Sequence, residues 1–427
     1  MSRSGRDSPP ADDEALTAGI EVTTLGSGWA ARTFAALSNR NYLKFFIGQS
    51  VSTTGTWMQS VALAWLILQL EQSATWLGIA IALQTLPVLL LAPYGGLIVD
   101  RVDKRLLLIG MQVAAAAQAL LLGVLTVTGT VSMGWVLALS VTLGLINAID
   151  NPGRQAFVRE MVPEDLVRNA VSLNAVLVNV ARAVGPALAG ILIAVAGVGA
   201  CFLVNSVSFL AAIVAYAVMD RSRLMPTEAV VRGPGQLRQG FRYVRRHVLL
   251  FIPLLMMALV GTLTYEFQVT LPAFAVQTFD GSAGTLGWIT AAMGAGAVIG
   301  GLVSASRHVT GIRPMVLAAL TFGVTVGLTA LAPTVQVAAV SLVAVGAASI
   351  WFLATGNATL QLAAAPEMRG RVMALWTVAF IGTTPVGGPI VGYIAEHAGP
   401  RWALALGAAA AIAAAGLGAL ALRRQAR

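Results

Sequence analysis

Charged side chains are scarce in this sequence. Only 11% of the 427 residues are charged, against roughly 25% in an average soluble domain, while 57% are hydrophobic and the mean hydropathy is +0.80. A chain of this composition could not cover its surface with polar groups in water, so lipid must be the solvent for most of it. The composition excludes a cytosolic enzyme, a secreted disulfide scaffold and a nucleic-acid binder.

Residues that commonly hold metals and cofactors are also few. The single cysteine, Cys201, cannot form an internal disulfide, and the three histidines do not lie at metal-ligand spacing. No phosphate-binding P-loop sequence and no catalytic cluster of His, Asp or Ser occur. We therefore expect no metal, no cofactor and no enzymatic activity, and an energy source other than nucleotide hydrolysis.

Long apolar runs fill the chain from about residue 44 onwards. A helix needs about 20 apolar residues to cross the hydrocarbon core of a bilayer. Twelve such runs predict membrane spans 1 to 12, at 44–68, 76–98, 106–128, 133–150, 169–195, 199–219, 249–275, 286–305, 314–332, 337–360, 372–395 and 402–422. The predicted fold class is an all-α membrane protein of twelve transmembrane helices.

Arginine and lysine are unevenly distributed over the segments between these runs. If the N-terminus is cytoplasmic, 25 of the 27 basic residues fall in cytoplasmic segments, while Arg182 lies within a span and Arg401 lies outside. Cytoplasmic loops of membrane proteins carry such an excess of positive charge. The pattern predicts cytoplasmic N- and C-termini, and it accounts for the net charge of +9 without a nucleic-acid partner.

The polar segments divide the chain into regions. The predicted regions are a disordered cytoplasmic tail with an interfacial lead-in (1–40), an N-terminal six-helix bundle (41–220), a cytoplasmic linker (221–248), a C-terminal six-helix bundle (249–422) and a cytoplasmic tail (423–427). The linker holds seven arginines, and a surface helix is expected around 236–246.

Short motifs recur between the two bundles. A shift of 203 residues places Gly185-Pro186 on Gly388-Pro389, and a shift of 205 places Gly95-Gly96-Leu97 on Gly300-Gly301-Leu302. The two bundles are therefore predicted to be pseudo-symmetric. Parallel repeats of six helices around a central substrate site are an arrangement of transporters.

Several segments resemble known transporter families. The segment GGLIVDRVDKR resembles the loop signature of the major facilitator superfamily, with matches at Gly96, Asp100, Arg101, Lys104 and Arg105 and with Asp103 in place of a glycine. The segment ARAVGPALAG resembles the glycine-proline motif of drug:proton antiporters. Three longer stretches, which begin at Ser38, Asn151 and Arg369, resemble the macrolide-efflux and enterobactin-exporter branch. The mid-span-4 arginine motif of many other drug:proton antiporters is absent.

The resemblance implies a gating role for the loop after span 2. Asp100 would face the N-terminus of span 11, where a carboxylate meets the positive end of the helix dipole. Lys104 or Arg105 would pair with an acid at the end of span 4, and Asp150 is placed for this. Such contacts would hold the outward-open state. The alternative is a solvated loop that only follows the charge rule.

The glycine-proline motifs predict bends in spans 5 and 11. Gly185-Pro186 and Gly388-Pro389 interrupt backbone hydrogen bonds and permit close approach to partner helices. A hinge or seal and a purely structural kink are both open.

Two charges lie within predicted spans, where charges are costly and usually functional. Arg182 and Glu266 lie about 20 Å and about 26 Å from the inner ends of their spans, at 1.5 Å per residue. They could form an ion pair or gate, or Glu266 could carry a coupling proton, because burial disfavours the charged form of a carboxyl. Alternatively, Glu266 reaches the outer interface and Arg182 bonds helix-end carbonyls.

Polar and aromatic residues near mid-membrane are candidates for a substrate cavity. They are Thr56, Trp57, Gln59, Gln84, Asn174, Asn179, Gln268 and Trp376. Amides within a membrane also commonly join helices to each other, so the interhelical interpretation remains open for each.

The sequence and the resemblance together predict a proton-driven, alternating-access exporter in a bacterial cytoplasmic membrane. The expected cargo is a medium-sized amphipathic compound such as a drug, a siderophore or a secondary metabolite, and the protein is expected to be a monomer. A solute importer or facilitator is one alternative. A non-transporting membrane receptor or a lipid translocator is another.

Overall fold

The computed structural model describes residues 33–99, 101–225, 236–306 and 310–425, and these residues form helices and no strands. Asp100, the first 32 residues, and parts of the predicted linker and C-terminal tail lie outside the described residues. The expectations for them therefore stay predictions.

The helices form two groups, which we call the N half and the C half. The N half contains α1 (Arg40–Glu71), α2 (Ala74–Val99), α3 (Lys104–Val127), α4 (Met133–Met161), α5 (Glu164–Ala196) and α6 (Val198–Ala217). A short helix, α7 (Gln236–Arg245), follows within the predicted 236–246. The C half contains α8 (Val248–Leu263), α9 (Phe267–Ala273), α10 (Ala283–Ser306), α11 (Ile312–Ala330), α12 (Val335–Ala363), α13 (Arg369–Phe380), α14 (Thr384–His397) and α15 (Pro400–Gln425).

Among the described residues, eleven spans are long and apolar enough to cross a membrane. The first predicted span is a helix of 32 residues, α1, which is long enough but not among the eleven. Amide and hydroxyl side chains interrupt the apolar sequence of this helix. Three of these polar side chains, Gln49, Ser52 and Gln59, are buried, so they point into the protein and not towards its surroundings.

Several helices extend further than their apolar runs. Span 4 was predicted to end at residue 150, but α4 continues to Met161 with Pro152 inside it. Across this proline, Arg154 Nε lies 2.8 Å from Asp150 Oδ2, an i,i+4 ion pair. Pairs at this spacing stabilise a helix. At the start of α3, Asp103 Oδ1 accepts a hydrogen bond of 3.1 Å from the backbone N–H of Leu106 and so caps the helix.

Two spans of the C half are broken. Span 7 is interrupted between α8 and α9 at residues 264–266, and span 11 is interrupted between α13 and α14 at residues 381–383. Their repeat counterparts in the N half, α1 and α5, are continuous helices of 32 and 33 residues. The two halves are therefore similar in order but differ in continuity.

The two ends of the helix bundle can be told apart by α7. We call the end at which α7 lies the linker end, and the opposite end, at which α1 is followed by α2, the far end. At the linker end, the Tyr243 hydroxyl of α7 accepts a hydrogen bond of 3.2 Å from the backbone N–H of Ala365. Val244 of the same helix is buried. The linker helix thus packs on the C half.

Candidate functional site

The two halves meet through close helix crossings near the far end. In one crossing, between α2 and α14, a Cβ atom on Gly78 would overlap the backbone of Gly388, and a Cβ atom on Gly392 would overlap the backbone of Ala74. In the other, between α5 and α10, a Cβ atom on Gly287 would lie 2.6 Å from the carbonyl oxygen of Pro186. Glycine permits backbone contact between helices, and both crossings depend on it.

Each glycine-proline motif lies at one of these crossings. Gly388 contacts α2, and Pro186 contacts α10. Gly185 packs instead on α1 of its own half, where a Cβ atom would lie 2.6 Å from the Trp57 Cβ. Pro186 and Pro389 lie inside α5 and α14 without ending these helices. The structure therefore places both predicted motifs where the halves touch.

Glu266 lies at the junction of the two broken spans. It precedes α9 and is 3% exposed. Its carboxyl group faces the first turn of α14, where Thr384 lies beside it and a Cβ atom on Gly387 would lie 2.9 Å from Glu266 Oε1. Glu266 Oε1 is buried without a hydrogen-bond partner. The side chain therefore points into the protein, which contradicts the interpretation that it reaches the outer interface.

Arg182 lies in α5 and faces α1. Its guanidinium carbon is 4.9 Å from the centroid of the Trp57 ring, a cation–π contact. Tyr265 of the C half is near enough to interact with it electrostatically. Arg182 Nε is buried without a hydrogen-bond partner. Arg182 and Glu266 do not form the ion pair that was one of the sequence hypotheses, because Glu266 turns towards α14.

After α2, Lys104 pairs with an acid at the end of α4, as the resemblance implies, but that acid is not Asp150. Lys104 Nζ lies 2.6 Å from Glu160 Oε1, so the acid that it meets at the end of α4 is Glu160. Arg105 donates hydrogen bonds of 2.5 Å to the carbonyl oxygens of Tyr216 and Ala217 at the end of α6.

Asp150 is paired with neither of these cations. It forms the ion pair with Arg154 and accepts a hydrogen bond of 3.1 Å from Gln112 of α3. The expected pairing of Asp150 with Lys104 or Arg105 is therefore wrong, because α4 extends eleven residues beyond Asp150 and brings Glu160 to the loop instead. Arg101 is exposed, and Asp100 and the surroundings of Gly96 lie outside the described residues.

The cavity candidates separate into two groups. Gln59 joins helices. Its amide nitrogen donates a hydrogen bond of 3.2 Å to Gln118, and its amide oxygen accepts one of 2.7 Å from Asn205. Trp376 is buried, and the end of its ring would overlap a Cβ atom on Gly356. These two side chains pack within a half, so the interhelical interpretation applies to them.

The other candidates are at least partly accessible. Trp57, Gln84 and Asn174 are partly buried, and Gln268 is exposed. Thr56 and Asn179 are also partly buried, and each donates a hydrogen bond to a carbonyl oxygen one turn earlier in its own helix. Among these residues, Trp57 is joined to Arg182 by the cation–π contact.

Sequence reasoning missed three polar residues that the structure places at important contacts. Glu160 pairs with Lys104, Tyr265 donates a hydrogen bond of 2.7 Å to the Ser349 carbonyl oxygen, and Glu396 contacts the start of α2. The signal for Glu160 was available, because an acid near the end of span 4 was expected. No local pattern distinguished Tyr265 or Glu396.

Known proteins show similarity over most of the chain. The chain is 25% identical over 347 residues to a staphyloferrin A transporter of Staphylococcus aureus, covering 78% of this chain and 84% of that protein. It is 27% identical over 362 residues to the multidrug efflux pump Tap of Mycolicibacterium fortuitum, covering 81% and 87%. It is 22% identical over 270 residues to macrolide efflux protein A of Streptococcus pyogenes, covering 61% and 66%.

Solved structures share the fold. A bacterial homologue of the human lysosomal transporter Spinster, in an inward-facing conformation, superposes with a TM-score of 0.73 at 14% identity, covering 90% of this chain and 96% of that one. A bacterial homologue of the iron transporter ferroportin, in an inward-facing state, has a TM-score of 0.69 at 14% identity, covering 90% and 98%. The sequence profile of the transmembrane secretion effector family matches residues 31–426. The chain therefore belongs to this family of major facilitator superfamily transporters and is not an enzyme.

Proposed function

We propose that this protein exports a medium-sized amphipathic compound across a bacterial inner membrane by alternating access, in exchange for protons. The relatives described above are named for a siderophore, for multiple drugs or for macrolides. These names support export of a compound of that general kind.

The proposed topology has twelve spans and two cytoplasmic termini. In it, α1 crosses the membrane as the twelfth span, because its 32 residues exceed the length required and its polar side chains Gln49, Ser52 and Gln59 are buried. The excess of arginine and lysine in the segments at the linker end supports a cytoplasmic position for that end. In this topology the crossings near the far end lie at the outer side of the membrane, where they would close a central path to the outside.

Glu266 is the observation that carries the proposal of proton exchange. It is a carboxyl group buried deep in the helix bundle, with one oxygen lacking a partner, and no ion pair holds it among the described residues. The first turn of α14 faces it, and the N-terminus of a helix stabilises negative charge. Burial favours the neutral acid. The two influences oppose each other, so the group can gain and lose a proton as its surroundings change.

The position of Glu266 links the proton to the movement of the helices. Its backbone lies in the break of span 7, and its carboxyl faces the start of α14 after the break of span 11. A change in its charge acts on two discontinuous helices at once. The α14 helix also carries Gly388, which contacts the N half, so the local change can reach the contact between the halves.

Transport by everted membrane vesicles tests the proposal. Vesicles from cells that express the protein should accumulate a macrolide or a multidrug probe such as ethidium when respiration acidifies the lumen, and a protonophore should abolish this. Glu266→Gln should bind the probe but lose the response to the proton gradient. Glu367→Gln, which alters an exposed glutamate at the linker end, is the matched control and should transport normally. Gradient-driven uptake by Glu266→Gln at the wild-type rate would refute the role of Glu266.

A panel of cargos decides between export and the alternatives. Probe movement out of intact cells that depends on the protein supports an exporter. Movement only down the concentration gradient would indicate a facilitator. Movement of labelled lipid in place of every soluble probe would indicate a lipid translocator.

A further inference from the structure

Arg182 is a cation placed between the two halves without an anion beside it. Three ion pairs join described residues: Lys104 with Glu160, Asp150 with Arg154, and Asp220 with Arg223. None of them includes Arg182. Its Nε atom is buried and makes no hydrogen bond, although the residue as a whole is partly exposed.

The contact with Trp57 does not satisfy the hydrogen-bonding capacity of this guanidinium. The guanidinium carbon lies over the ring, 4.9 Å from its centroid, and one ring cannot satisfy all five N–H donors of an arginine. An arginine held over a ring in this way still has N–H donors with which it can bind a carboxylate through two parallel hydrogen bonds. The contact with Trp57 also limits the freedom of the side chain, which reduces the entropy lost when an anion binds.

Groups from both halves lie in the neighbourhood of Arg182. Arg182 and Trp57 come from α5 and α1 of the N half, and Tyr265 comes from the break in span 7 of the C half. The Tyr265 ring lies 5.1 Å from Phe380 and 5.2 Å from Phe322, between centroids. An aromatic surface thus lies close to an unpaired cation. A ligand that matches both would carry an anionic group and an apolar body.

We propose that Arg182, supported by Trp57, binds a carboxylate of the cargo, and that the preferred cargo is an amphipathic organic acid. This inference rests on the proposed function, since it assigns a subsite to the exported compound. A partly buried charge without a partner loses some of its hydration, which is costly, and a carboxylate of the cargo offsets that cost when it binds. The subsite therefore favours acids over neutral compounds of the same shape.

A matched pair of fluorescent probes tests the subsite. Dansyl-phenylalanine carries a carboxylate, and dansyl-phenylalaninamide has the same body with a neutral amide in its place. Binding to the full chain in lipid nanodiscs is measured by energy transfer from tryptophan to the dansyl group. The wild type should bind the acid about tenfold more tightly than the amide, since hydrogen bonds to charged groups are worth enough for at least that ratio.

Substitution of the arginine should remove the preference. Arg182→Gln should bind the acid and the amide equally, and Arg182→Lys, which keeps the charge but loses the paired donors, should show an intermediate ratio. Arg242→Gln, an exposed arginine of α7, is the control and should keep the wild-type ratio.

Several outcomes would overturn the inference. They are equal affinity of the wild type for both probes, no binding of either probe, or a preference for the acid that survives in Arg182→Gln. The wild-type comparison needs no variant, so misfolding of Arg182→Gln would not protect the inference. Proton-driven efflux in everted vesicles is measured separately. Its absence would refute the proposed function, whereas its presence together with equal probe affinities would refute only the carboxylate subsite.

Discussion

The carboxylate of Glu396, near the end of α14, accepts a hydrogen bond of 2.5 Å from the hydroxyl of Ser73, which lies just before α2 in the other half. The same carboxylate oxygen accepts a hydrogen bond of 3.0 Å from the backbone N–H of Thr75. The first N–H groups of a helix have no partner within it, and negative charge is stabilised there. One glutamate of the C half therefore caps a helix of the N half at the far end.

Removal of this carboxylate should weaken the contact between the two halves at the far end. Glu396 is exposed, so solvent limits the contribution of its contacts to about 1 kcal/mol or less. In the proposed alternating-access cycle, Glu396→Gln should therefore shift the balance of states up to about fivefold towards opening of the far end. Spin labels at Thr130 and Pro333, both exposed at the far end in opposite halves, report the separation by pulsed electron resonance. The single native cysteine, Cys201, is buried and is replaced by alanine for the labelling.

Glu71→Gln is the control for this measurement, since Glu71 is an exposed glutamate at the same end. Its distance distribution should match that of the parent. If Glu396→Gln also gave the parental distribution, the contact with Ser73 would not contribute to closure.

A single methyl group at Gly387 should damage the fold of the C half. A Cβ atom there would overlap the carbonyl oxygen of Thr262, a backbone atom that cannot rotate away. Overpacking of this kind costs about 1–3 kcal/mol or more, so Gly387→Ala should lower the melting temperature in detergent. Gly110→Ala is the matched control, because Gly110 of α3 has no atom within 4 Å of the added position and alanine favours a helix. Equal stability of the two variants would contradict the close packing at Gly387.

Replacement of one partner of the Lys104–Glu160 ion pair should lower the melting temperature more than replacement of both partners. Both side chains are largely buried, with exposures of 11% and 9%. Removal of one partner leaves a buried charge at a cost of about 3–5 kcal/mol, whereas replacement of both by apolar groups is often neutral. Lys104→Met should therefore unfold at a lower temperature than the wild type, and the double variant with Glu160→Met should recover most of the loss. A double variant less stable than Lys104→Met would show that the two side chains are not coupled.

Gln59 should affect stability rather than cargo selection. Its hydrogen bonds to Gln118 and Asn205 join α1 to α3 and α6, so Gln59→Leu leaves two buried amides with fewer partners. A loss of about 1–3 kcal/mol is expected, with unchanged ratios of efflux rates across a panel of drugs. Trp57→Leu should change those ratios, because Trp57 is partly exposed beside Arg182. Altered ratios in Gln59→Leu would instead place this amide in the transport path.

Helix order could be predicted from the sequence because apolar length is a local property. Helix continuity could not. Predicted span 4 ended at Asp150 because the polar residues and Pro152 that follow look like a loop, yet α4 continues to Met161. Conversely, the apolar run 249–275 gave no sign that span 7 breaks at residues 264–266. Beside that break, Gly387 of a distant helix packs against the carbonyl of Thr262, a tertiary contact that no window of sequence contains.

The same distinction applies to the site residues. The two charges inside the spans, Arg182 and Glu266, could be identified because charge in lipid is rare. Their directions could not be predicted, because each depends on a neighbouring helix. The side chain of Glu266 points towards the start of α14, and that of Arg182 lies over the ring of Trp57. Amide residues gave a weaker signal, since Gln59 and Gln84 look alike in sequence and differ in burial.

The discontinuity of spans 7 and 11 gives the two halves unequal mechanical roles. The α1 and α5 helices are uninterrupted, whereas the segments on either side of residues 264–266 and 381–383 are joined by non-helical residues at which they can tilt against each other. In the proposed alternating-access cycle, bending within helices would then be concentrated in the C half, at these two breaks. A conformation-trapping antibody or inhibitor would accordingly be most effective when it immobilises α13 against α14.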